Sequence, residues 1–395
     1  MDLSDFNENV LKLVISGQCV FLFENKNNDN NNIVFSFKNK EKTDGIRVEF
    51  TQKEILVTRI VSGEKFIDHN NNRGLCNSAG AYYWFSLDAQ NERFYAGTGE
   101  ARIETKNYHY SFTNKDIYVW NKNKSFLESL DYLCLEGNNI DPMRLLKYPI
   151  TKKVPLKVGD TNILTMDDIA EGNYLPNANL PLVGQKLYNC VSGKRFVLDD
   201  NNFPDFSQAI EYNIITPGCW CFEKLREKST EFNKDKPNLK ETYLRITLGE
   251  NDGDSPGIPY VLEIWPVGHY SPIHSHSNAD AIIRVLHGSI NVSLYPFLCS
   301  DTKGVEPFGN VNFNKDDITW ITPTLNQIHK LKNLDTNKYT CITIQCYMYG
   351  DKDHVHYDYF DYRDDNGKIQ PYEPDSDMDF VPFKKLMKEQ WLNKK

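Results

Sequence analysis

The sequence predicts a mainly β protein, with an N-terminal antiparallel β-sandwich and a C-terminal β-barrel or double-sheet jelly roll, joined by a short helical connector. Three observations carry this expectation. Short runs rich in β-branched and aromatic residues, broken by polar turns, recur through residues 1–120. They return after Leu239, again separated by Gly, Pro and Asp turns. The 395 residues exceed what one typical core organises, so two domains are expected.

In the first region "NIVFSFKN", "GIRVEFTQ", "EILVTRIVSG", "AYYWFSLDA", "RFYAGTG" and "ARIETKNYHYSF" each fit a strand. Together they suggest a sandwich domain over 1–120, a module type that commonly takes a glycan or a protein as ligand. The connector spans 121–199. Within it "SFLESLDYLCLE" at 125–136 has helical apolar spacing behind a Ser cap, and "DPMRLLK" at 141–147 reads as a short helix start. "EGNYLPNANLPLVGQ" at 171–185 reads as a linker or surface arm. The domain 200–395 opens with short helices in "FPDFSQAIEY" and "WCFEKLREKSTEF". Its strands are "TYLRITLG", "PYVLEIWPVG", "DAIIRVLHG", "SINVSLYPFL", "DITWITP" and "YTCITIQCYMYG", and an amphipathic helix, "VPFKKLMKEQWL", closes it.

Composition narrows the function classes. A net charge of −9 argues against nucleic acid, because phosphate binding needs a basic surface. There is no apolar run of membrane-spanning length and no basic, apolar leader at the start, so a cytoplasmic protein without a membrane partner is expected. Nine cysteines without framework spacing read as buried thiols of a reducing compartment, "CWC" at 219–221 included. The asparagine tracts near 25–32 and 70–72 read as solvated loop tips.

The histidines are the sharpest signal. Seven of nine lie within 269–356, and "WPVGHYSPIHSH" places three of them at 269, 274 and 276. His274 and His276 are two apart, so on a strand they share a face and can reach one metal ion. Gly268 precedes His274 by five intervening residues, Gly288 follows, and "PTLNQIHKLKN" supplies His329 four positions before Asn333. His269, of opposite parity, and His287 read as structural residues, Trp265 as packing, and "HVH" at 354–356 as a solvated loop.

This order resembles the two motifs of the cupin superfamily, G-x5-H-x-H-x3,4-E-x6-G and P-x-G-x2-H-x3-N. The resemblance implies a barrel with His274, His276 and His329 as metal ligands. The motif's glutamate falls on Ala281, and Asp280 beside it has the wrong parity to replace it. A set of three histidines without carboxylate resembles the cysteine dioxygenase branch of the cupins. "WPVGHYSPIHSH" is similar to that branch's W-x-x-G-H-x-S-x-I-H-x-H, and "IHKLKN" to its L-H-R-V-x-N. The likeness runs over roughly residues 200–360. It implies a catalytic and substrate-binding Arg245 for the substrate carboxylate and an active-site Tyr347. Gln345 stands where the branch has a histidine bonded to that tyrosine, and Ala281 where its animal members carry a cysteine crosslinked to it.

On this resemblance the leading expectation is an Fe(II)-dependent thiol dioxygenase that converts a small carboxylated thiol to its sulfinate with O2. Three neutral ligands leave the full charge on the metal, which lowers the pKa of a bound thiol. Arg245 would hold the carboxylate as a fork. Two other classes compete: a different metallo-cupin oxygenase, and a non-catalytic cupin with a glycan- or protein-binding sandwich.

Overall fold

The computed structural model describes residues 9–25, 32–71, 74–75, 80–111, 120–137, 140–250, 259–300, 305–349 and 360–394. The "HVH" segment and most of the asparagine tract at 25–32 lie outside the described residues. The chain divides into two compact units, Met1–Lys153 and Val154–Lys395.

The first unit has two antiparallel sheets. One orders Val10–Lys12, Leu130–Glu136, Ile33–Asn39, Gly45–Phe50, Glu54–Val61 and Glu64–Asn71. The other orders Ile140–Leu146, Gln18–Asn25, Tyr82–Asp88, Arg93–Thr98 and Lys106–Ser111. Strand periodicity puts alternate residues on one face. Phe21 and Phe23 of one sheet therefore meet Phe35, Phe37, Val48 and Phe50 of the other in a single buried core.

Two expectations for the connector do not hold. The helix runs over Trp120–Glu128, and Leu130–Glu136 is a strand paired on both sides, with Val10–Lys12 and with Ile33–Asn39. Pairing on two edges satisfies backbone groups that short-range apolar spacing cannot account for. Ile140–Leu146 is likewise a strand, and its Pro142 sits at a register shift where a missing N–H is tolerated. The segment at 171–185 is structured as well. It holds the end of a helix at Met166–Glu171, a short strand at Tyr174–Pro176 and the start of a helix at Leu182–Val191.

The second unit also has two sheets. The larger orders Tyr174–Pro176, Lys157–Gly159, Ile318–Ile321, Asp280–His287, Cys341–Met348, Pro259–Trp265, Leu244–Glu250 and Met378–Asp379. The smaller orders Gly309–Asn314, Ser289–Leu294, His329–Lys332, Ile273–His274, Phe360–Arg363 and Ile369–Tyr372. They stay distinct, with no backbone ladder closing them into one barrel among the described residues. Side chains make the connection instead. Trp265 and Val285 of the larger sheet share a core with Val292, Phe313 and Leu331 of the smaller.

Residue parity decides what each face of the larger sheet carries. Leu244, Ile246, Leu262, Ile264, Ile282 and Ile344 pack with residues of the helices Leu182–Val191, Phe206–Ile215, Trp220–Glu227 and Phe380–Leu392. The alternate positions, Arg245, Glu263, Trp265, Ala281, Ile283, Gln345 and Tyr347, take the opposite face. Two motif glycines make the turns possible. Gly268 and Gly288 have φ of 83° and 68°, and a Cβ on Gly288 would lie 2.5 Å from the Thr340 carbonyl oxygen.

Among the described residues no disulfide forms, and no helix is long and apolar enough to cross a membrane.

Candidate metal centre

His274 and His329 lie on neighbouring strands and face each other in register. His276 follows just past the short strand Ile273–His274. The peptide before it is held by the Ser275 N–H donating to the Asp361 carbonyl at 2.8 Å. The chain then turns back through Ser277 and Asn278, both with left-handed backbone. The donor atoms of His274, His276 and His329 all lie within 4.8 Å of one another. His276 and His329 are buried, and His274 is partly exposed.

The ring environments fit a cation. His274 Nδ1 lies 3.1 Å from the Pro272 carbonyl, which fixes its proton there and leaves Nε2 as a lone-pair donor. The His329 ring is hydrogen bonded to the Asn326 backbone. Nε2 of His276 and Nε2 of His329 are 3.0 Å apart. Two nitrogens bound to one ion at about 2.1 Å come to roughly this separation. Burial, the neighbouring rings and Arg245 push the His276 ring well below its ordinary pKa, and burial with His274 does the same for His329. Burial holds His274 at about 4, with the Pro272 carbonyl opposing and Arg245 adding to the effect. All three rings are therefore neutral at neutral pH, with a lone pair available for a cation. Asp280 is not part of the cluster.

The cluster opens on a cavity of about 760 Å³, its mouth included. Its walls are largely aliphatic and aromatic, among them Ile283, Val285, Val292, Phe313 and Phe360. Tyr347 lies with its ring nearly parallel to that of His276, 5.8 Å between centroids. The Tyr347 hydroxyl donates to Gln345 Oε1, and Gln345 Nε2 donates to Glu263. Glu263 in turn accepts from Arg245 Nη1 at 2.7 Å. The four residues form one buried chain across three strands. Their register supports it, since Arg245 is directly opposite Glu263.

The structure thus brings His274, His276, His329, Gln345 and Tyr347 to one cavity. Arg245 is inward and buried, as the resemblance implied, but its charge is matched by Glu263 and it is not among the cavity-lining residues. Glu263 escaped the sequence reading. Its one signal was an acid in the otherwise apolar run "PYVLEIW", every residue of which is buried. Burial pushes its carboxyl up, against the lowering pull of Arg245 and Gln345.

The other singled-out residues are structural. His269 Nδ1 lies 3.0 Å from both the hydroxyl and the carbonyl oxygen of Thr242. His287 Nε2 is 3.7 Å from Glu211. Trp265 stacks on Tyr243 with 4.1 Å between ring centroids. Asn333 Nδ2 donates to the carbonyls of Trp265 and Tyr339, clamping the strand end beside the site. Ala281 is the direct cross-strand neighbour of Tyr347.

No protein-family model matches the chain, and no curated protein matches it. Some solved structures resemble part of it. The cupin domain of Schizosaccharomyces pombe Cnp3 aligns over 26% of this chain and 62% of its own length, at 13% identity and a TM-score of 0.20. A cupin superfamily protein from Desulfitobacterium hafniense aligns over 28% of this chain and 80% of its own, at 13% identity and 0.20. The DMSP lyase DddQ of Ruegeria pomeroyi aligns over 28% and 49%, at 16% identity and 0.21.

Proposed function

We propose that the second unit is a metallo-cupin enzyme, an iron(II)-dependent dioxygenase of a small thiol. The observation that carries this reading is the group of three neutral histidines, without a carboxylate, at the wall of a largely apolar cavity. Iron(II) at this site would supply an open-shell centre with free positions, at which a closed-shell thiol and triplet oxygen can react.

The chain's own residues do the rest. The Pro272 carbonyl holds the His274 tautomer, and the Asn326 backbone orients His329, so both rings are set before a metal arrives. Three uncharged ligands leave a bound cation its full charge, which favours a thiolate over a thiol. The walls around Ile283, Val285 and Phe360 exclude water from the reacting groups. Gln345 Oε1 accepts the Tyr347 hydroxyl hydrogen bond and fixes the phenol ring beside His276.

Iron analysis combined with oxygen uptake tests this reading. The protein should hold about one iron per chain, and added thiol should be consumed with oxygen and recovered as its sulfinate. An iron-loaded protein that takes up no oxygen with any small thiol would rule the reading out in favour of a non-thiol substrate.

A further inference from the structure

Resting on the thiol reading for its substrate, but on separate observations for its selectivity, we propose that Glu263 makes one wall of the cavity a hydrogen-bond acceptor surface. That surface selects a ligand carrying an ammonium or other donor group and rejects one carrying a free carboxylate.

Glu263 and Asp317 line the cavity, whereas no lysine or arginine does among the described residues. Asp317 is held by Lys157 at 2.7 Å. Arg245 sits beside Glu263 with its Nη1 committed to that carboxylate. With Nη1 given to an internal carboxylate and the guanidinium outside the cavity lining, Arg245 does not offer a substrate carboxylate two parallel donors there. A carboxylate entering beside Glu263 would set acceptor against acceptor in a desolvated setting, with no cationic side chain in the lining to receive it, which is the costly arrangement.

The hydrogen-bond polarity of the neighbours points the same way. Gln345 Nε2 is directed at Glu263 and also at Thr343 Oγ1, at 3.2 Å. The amide cannot be turned over without setting its carbonyl against the Glu263 carboxylate. Its Oε1 therefore faces Tyr347 and accepts that residue's proton. The Tyr347 proton is thus directed at Gln345 and away from a ligand carboxylate. The Trp265 indole N–H is a lining donor with no partner, a single neutral group and a poor substitute for an arginine fork. Glu263 thus presents an acceptor, and the group it satisfies is a donor.

The test is binding, measured by calorimetry on iron(II)-loaded protein without oxygen, at fixed ionic strength. Cysteamine and 3-mercaptopropionate differ in offering an amine or a carboxylate beside the same thiol. Cysteamine should bind at least about tenfold more tightly, the scale of one charge-assisted hydrogen bond. Ethanolamine and 3-hydroxypropionate repeat the comparison without sulfur. If neither thiol binds but ethanolamine still outcompetes 3-hydroxypropionate, sulfur chemistry fails and the acceptor wall stands. If the carboxylate partner binds as well or better in both pairs, or neither pair discriminates, the wall is overturned. Glu263→Gln should narrow the preference by about tenfold. Because that variant strands a buried guanidinium, the double variant Arg245→Leu with Glu263→Gln provides the same test without it. Its retention of the full wild-type preference would overturn the assignment to Glu263.

Discussion

Removing the Glu263 carboxylate while keeping Arg245 should destabilise the second unit far more than removing both. The Arg245 side chain is 2% exposed and that of Glu263 7%, with 2.7 Å between Nη1 and Oε1. Glu263→Ala removes the carboxylate that Arg245 Nη1 donates to while the guanidinium stays buried. Losses of this kind run to about 3–5 kcal/mol, which for a unit of this size is a fall of roughly 6–20 °C in Tm. Replacing both by leucine exchanges an ion pair for apolar volume and should come within about 1–2 kcal/mol of the parent. Urea unfolding of the single and double variants gives the coupling. The chain has two compact units, so the relevant transition is the one that added metal shifts. A Glu263→Ala variant as stable as the parent, or a double variant as unstable as the sum of the singles, would refute the buried pair.

Three further outcomes follow from the site. His329→Ala should lose iron binding in dialysis and metal analysis while its far-ultraviolet circular dichroism is unchanged, since the ring contributes a donor and little core. In metal-free protein, stability should fall as pH drops from about 6.5 towards 4. The unfolded His274 titrates near 6.5 and the folded ring only at about 4, so between those values the unfolded chain binds more protons. This partly exposed ring contributes about 2–3 kcal/mol of the loss, His276 and His329 add to it in the same direction, and His274→Gln should reduce the slope in urea titrations across the range. Intact mass should be that of the unmodified chain, because Ala281 neighbours Tyr347 and the Cys346 thiol points away towards the Leu187 carbonyl at 3.4 Å. Loss of two hydrogens, mapped to Tyr347, would contradict this.

The sequence made the histidine cluster legible because its spacing is local on one side and motif-bound on the other. His274 and His276 are two apart, and His329 stands in a strand that a turn before it and Asn333 after it delimit. The inward position of Arg245 was legible through the family resemblance. Its partner was not, because a cross-strand neighbour eighteen residues away is set by register, and register follows from the whole sheet. For the same reason Leu130–Glu136 carried helical spacing and still became a strand. Its two neighbours come from residues 10–12 and 33–39, far outside any local window. The segment at 171–185 misled through composition. Its Pro, Gly and Asn residues cap and join short elements there, as at Gly172, whose left-handed backbone ends the helix Met166–Glu171.

Charge balance links the two halves of the site. A divalent ion held by His274, His276 and His329 keeps its full charge, because none of the three brings a negative one. Elsewhere Glu263, in the cavity wall, is paired with Arg245, which lies outside the lining. The compensating charge must then come from the ligand, and the cheapest arrangement puts it directly on the metal. A thiolate does this with one atom. A second anionic group on the same ligand would gain from the metal only at longer range, and would lie against the Glu263 acceptor. An ammonium in that place would be satisfied by Glu263. On the proposed thiol reading, the ligand that balances both ends is anionic at sulfur and a donor at its other end. On that reading the pairing of Arg245 with Glu263, more than the presence of Arg245, sets what the cavity accepts.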